Sequence, residues 1–77
     1  MALILIVDDS PTEVHVMQKV LERHGFRTAV AGDGAEGIRL ARQMRPDLIF
    51  MDIVMPGVNG YQATRTLAND PDTRAIP

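Results

Sequence analysis

Three short apolar runs limit most strongly what this chain can fold into. Leu3 to Val7 (LILIV) and Leu48 to Met51 (LIFM) are unbroken, while Phe26 to Ala31 is a weaker run carrying Arg27 and Thr28. Such runs are too short for helices and show no polar alternation, so they predict strands covered on both faces. Arg27 and Thr28 put the second strand at an exposed edge.

The stretches between the runs have helical spacing. Ser10-Pro11-Thr12-Glu13 predicts a helix start, with Ser10 as cap, Pro11 at the first helical position and Glu13 completing a capping box. Val14, Met17, Val20 and Leu21 then recur on one face, and Gly25 closes the helix in a left-handed conformation. Asp33 and Glu36 form a second capping pair. They precede a helix from about Ala35 to Met44, with Ile38, Ala41 and Met44 on one face and Pro46 as the stop. A third helix spans about Tyr61 to Ala68, with Tyr61, Thr64, Leu67 and Ala68 spaced to pack, and Asn69 to Pro77 reads as a loop. The order β-α-β-α-β-α calls for an α/β fold with a parallel sheet and right-handed crossovers.

Composition removes several functions. The net charge of -2 offers no basic footprint for nucleic acid or an anionic membrane. No cysteine is present, so disulfides and thiolate metal sites are excluded. The N-terminal apolar run lacks a basic flank and is too short for a signal peptide or a membrane span, which makes the cytoplasm the expected location. Any charge-driven function must therefore be local.

The acids supply that locality. The first run stops at Asp8-Asp9 and the third at Asp52. Strands of a parallel sheet end on one edge, and the flavodoxin-like order 2-1-3-4-5 puts the first and third side by side at the switch point where such folds bind ligands. A turn or cap explains one acid of the pair, and Ser10 already caps. Clustered carboxylates repel, and a hard divalent cation such as Mg²⁺ relieves them. One carboxylate is then available as a nucleophile toward phosphorus.

With VDDS at 7–10, GDGAEG at 32–37, PDLIFMDIVMPG at 46–57 and Asn59-Gly60, the sequence resembles the receiver domain of two-component response regulators. DDSPTE together with MDIVMPGVNGYQATR is most similar to the single-domain receivers of pilus-based twitching motility. The resemblance implies a CheY-like fold and a phosphoacceptor at Asp52, fed by a histidine kinase or phosphotransfer protein. It implies Asp9 as a direct Mg²⁺ ligand, Asp8 acting mainly through a metal-bound water, and the Val54 backbone carbonyl as a further contact. Pro56, Gly57 and Gly60 would shape the adjoining loop. Asn59 stands where many receivers carry an acid, a departure that touches loop capping more than chemistry.

Residues 1–77 match the first three of the family's five β-α units, with strand order 2-1-3, and stop before a fourth strand. The family's later hydroxyl residue and lysine, which contact the phosphoryl group, have no counterpart, and Lys19 in the first helix does not replace the lysine. A bare outer edge on the third strand invites self-association, as a homodimer or by exchange of elements. Two alternatives to a working receiver stay open. One is an idle half-domain that self-associates. The other is an Mg²⁺-dependent phosphatase with an aspartate nucleophile, against which Val54 stands where such enzymes need a second acid.

Other features have plainer readings. The methionines suit core filling. His15 and His24 lack ligand-like spacing and are expected to face solvent. Gly32-x-Gly34-x-x-Gly37 follows the second strand, not the first, and reads as a turn into a helix, not a dinucleotide site.

Overall fold

The computed structural model describes residues 2–77. Strands β1 (Leu3–Val7), β2 (Arg27–Ala31) and β3 (Leu48–Met51) alternate with helices α1 (Pro11–Arg23), α2 (Gly34–Met44) and α3 (Gly60–Ala68). The sheet is parallel in the order β2-β1-β3. The strand between two neighbours is β1, and Ile4, Leu5, Ile6 and Val7 are all buried.

Register divides the core between the two faces. Leu5 pairs with Ala29 and Ile49, and Val7 with Ala31 and Met51; these side chains form one cluster with Ala41 of α2, Leu67 of α3 and Met55. Gly37 lets α2 approach this face, since a Cβ there would lie 2.8 Å from Val7 Cγ2. The opposite face carries Ile4, Ile6, Thr28, Val30, Leu48 and Phe50, and α1 packs over its β2 side, where Gln18 bonds Thr28. Phe50, on β3, stays 40% exposed.

Several local expectations change. Val20 lies half exposed, because α1 seats Val14 and leaves the flank bearing Val16 and Val20 in solvent. Tyr61 is also exposed; α3 instead packs through Gly60, Ala63 and Leu67, three small or apolar residues on one helical stripe. Arg45 ends α2 in a left-handed conformation (φ 48°), the turn being completed just ahead of Pro46. The outer edge of β3 is partly occupied: the tail turns at Asp70 to Ile76, and the Ile49 N–H donates to the Pro77 carbonyl at 3.0 Å. His15 and His24 face solvent, and Met55 fills the core. None of the described helices is long and apolar enough to cross a membrane.

Candidate metal and phosphoacceptor site

Pairing of β1 with β3 brings the acids together. Val7 lies opposite Met51, the Asp52 N–H donates to the Val7 carbonyl at 2.9 Å, and on the other side the Asp8 N–H donates to Ala31 at 3.0 Å. The chain therefore leaves both strands at one level, and carboxylate oxygens of Asp8, Asp9 and Asp52 lie within 4.8 Å of one another. Asp8 is buried, Asp52 half-buried and Asp9 exposed, so the cluster is rooted in the sheet and open to solvent. It continues into a groove of about 380 Å³ beside α1, lined by His15, Gln18, Val30 and Gly32 as well as Asp8 and Asp9.

The loop after β3 borders the acids. Gly57 takes φ 74°, a left-handed conformation natural to glycine. Gly60 permits the closest approach: a Cβ there would collide with the Asp52 carbonyl and lie 2.6 Å from Ile53 Cα. Gly34 does the same across the site, admitting the Val58 carbonyl against the start of α2. Two glycines of the GxGxxG pattern, Gly34 and Gly37, are thus packing positions. Val54 is 83% exposed and Pro56 is exposed on the same loop.

Electrostatically the cluster has no ion-pair partner among the described residues. The ion pairs among the described residues are Arg42–Asp70 and Arg45–Asp72, both away from it. What eases the repulsion is backbone. Asp8 Oδ1 accepts the Ser10 N–H at 2.9 Å, and α1 begins immediately after, its N-terminal amides favouring negative charge. A fourth acid also reaches the site. Glu13, in the first turn of α1, meets the Asp8 carboxyl, and that contact with the charges of Asp8, Asp52 and Asp9 raises its carboxyl above the usual 4.5. Sequence reasoning assigned Glu13 to the helix cap; its place one turn beyond an acid pair was the available signal.

An all-oxygen donor set without a protein cation suits a hard divalent ion. The response regulator receiver domain model matches residues 4–76. The chain belongs to that family. It is 57% identical over all 77 residues to PilH of Pseudomonas aeruginosa, of which it spans 64%. The N-terminal domain of a response regulator receiver protein from Methanoculleus marisnigri JR1 matches with TM-score 0.97 and 39% identity, over 100% of this chain and 63% of that one. The receiver domain of a Pseudomonas aeruginosa sensor histidine kinase, solved with a magnesium ion coordinated in its active site cleft, matches with TM-score 0.94 and 34% identity, over 99% and 62%. The three β-α units are those of the CheY-like flavodoxin fold, and the receiver places the chain in two-component signalling.

Proposed function

We propose that this receiver accepts a phosphoryl group on Asp52 with Mg²⁺ held at Asp8, Asp9 and Asp52. The observation that carries the reading is the convergence of three carboxylates on one sheet edge with no ion-pair partner among the described residues. Asp9 would be the direct ligand, Asp8 would act mainly through a water on the ion, and the Val54 carbonyl would offer another oxygen. Pro56, Gly57 and Gly60 shape the loop that leaves Asp52 accessible. When bound, Mg²⁺ supplies positive charge to the acids and to the incoming phosphoryl oxygens. An Asp52 carboxylate oxygen attacks the phosphorus of a phosphohistidine; a P–O bond forms, the P–N bond breaks, and the imidazole nitrogen retains the electron pair. The donor is a histidine kinase or phosphotransfer protein of the cytoplasm, and the chain acts as a regulated acceptor, not an enzyme with a separate substrate.

Incubation with Mg²⁺ and acetyl phosphate should add one phosphoryl group to wild type and none to Asp52→Asn, read by intact mass. Wild type that binds Mg²⁺ yet stays unmodified supports the idle half-domain instead. Self-association is a second reading, motivated by the exposed Phe50 and an apolar groove of about 140 Å³ along β3, lined in part by Ile49, Met51, Leu67 and Ile76. A mass that rises with concentration in light scattering supports it, and a constant monomer mass excludes it.

A further inference from the structure

The start of α3 holds a reactive pair that phosphoryl transfer does not use. Asn59 is followed directly by Gly60. An asparagine side-chain amide is open to attack by the backbone nitrogen that follows it, and a glycine there puts no side chain in the way. The other asparagine, Asn69, precedes Asp70, whose side chain shields the nitrogen. The fold holds both reacting groups of the Asn59–Gly60 pair elsewhere. The Gly60 N–H donates to the Ile53 carbonyl at 2.9 Å. Asn59 Oδ1 accepts the Gln62 N–H at 2.9 Å, and the Asn59 N–H donates to Gln62 Oε1 at 3.1 Å. Gly60 is buried, and a Cβ there would meet the Asp52 carbonyl and Ile53 Cα, so its backbone is packed against the residues that follow β3.

We propose that Asn59 is a deamidation site gated by the β3–α3 loop, closed while the loop is seated and open when it lifts. Ring closure needs the Gly60 N–H off Ile53 and the Asn59 amide off Gln62. The Gly60 nitrogen, its proton lost to a base in solvent, bonds to Asn59 Cγ, and the side-chain nitrogen leaves as ammonia. Water then opens the cyclic imide at one of its carbonyl carbons. Breaking the new bond to Cγ leaves an aspartate, which still caps α3. Breaking the bond to the main-chain carbonyl carbon routes the chain through the side chain. That product lengthens the backbone by a methylene and pulls the Gly60 N–H from Ile53, beside Asp52. None of these steps involves a cation, so the site holds whether or not magnesium binds.

The test incubates wild type at mildly alkaline pH in buffer and in guanidinium chloride, following each asparagine by peptide mass. In guanidinium chloride Asn59 should convert and Asn69 should lag far behind. In buffer, conversion at Asn59 should be at least about tenfold slower, because it tracks the fraction of molecules with the loop open. Gln62→Ala removes the side-chain half of the cap at an exposed position and should speed conversion severalfold in buffer, with no change in denaturant. Gln62→Glu still accepts the Asn59 N–H and should stay slow. Asn59→Ser, which keeps a cap, should abolish the mass change. Equal rates in buffer and denaturant overturn the gate, as does a Gln62→Ala chain that converts no faster than wild type in buffer. Conversion in denaturant that spares Asn59 overturns the site itself.

Discussion

Two groups of acids in this small domain are treated in opposite ways. At the α3 exit, Asp70 pairs with Arg42 of α2 at 2.5 Å, accepts the Asp72 N–H, and is held below the usual carboxylate range by that backbone bond and the guanidinium. At the carboxyl edge of the sheet, Asp8, Asp9, Asp52 and Glu13 crowd together with no arginine or lysine partner among the described residues, and Glu13 is pushed upward. The first group ties the tail to α2. The second has its charge unmatched by any ion pair among the described residues. Acids matched internally tie elements of the fold together, whereas unmatched acids converging from separate elements are the ones on which the proposed cation site is built.

The sharpest way to break this contrast is to neutralise one acid in each group. Asp9→Asn should weaken Mg²⁺ binding by at least about tenfold, no less than the loss of a supporting residue around a metal usually costs. It should also leave the metal-free fold at least as stable, because it relieves repulsion. Calorimetric titration and a melting curve check both halves. A metal-free Asp9→Asn chain that melts well below wild type would show the acids to be structural after all. Asp70→Asn should do the reverse, lowering the melting temperature by several degrees while Mg²⁺ affinity holds.

Much of this division was legible in the sequence. LILIV and LIFM each lead straight into acid, and a parallel sheet carries both to one edge, so the three aspartates could be brought together without a contact being seen. Strand order came with the flavodoxin-like topology that the β-α alternation and the motifs imply, and β1 does lie centrally. What stayed hidden depended on competition at short range. The Ser10 N–H had two candidate acceptors, Asp8 and Glu13, and Asp8 is favoured by a turn only two residues long. Tyr61 and Val20 sit at correct helical spacing, but Gly60 and Val14 set which stripe faces the sheet. The Arg42–Asp70 tie spans 28 residues and no local pattern announces it.

Titration separates the groups without mutation. Asp70 has a lowered folded value, so its contribution is present above its ordinary 3.8 and is lost as pH falls through the folded value. Glu13 has a raised folded value, so the folded state is penalised as pH rises from its ordinary 4.5 and the carboxyl ionises. Metal-free stability followed by chemical unfolding should therefore fall off at the acid end through Asp70 and decline above about 4.5 through Glu13. Saturating Mg²⁺ should remove the second decline and leave the first. Glu13→Gln should also remove it.

The smallest expected effect tests whether internal pairing, and not mere proximity of opposite charge, defines the structural group. Arg45 and Asp72 approach only to 3.8 Å, with both side chains well over half exposed. A pair held so loosely in water gains little Coulomb energy and loses side-chain entropy when ordered. Asp72→Asn should shift unfolding free energy by no more than about 0.5 kcal/mol and leave Mg²⁺ affinity untouched. Its backbone N–H, which donates to Asp70, survives the substitution, so the tail keeps the tie that matters. A loss as large as that of Asp70→Asn would mean that the two arginines act on the tail as one network, and the Arg42–Asp70 bond would no longer stand alone as the tail's anchor.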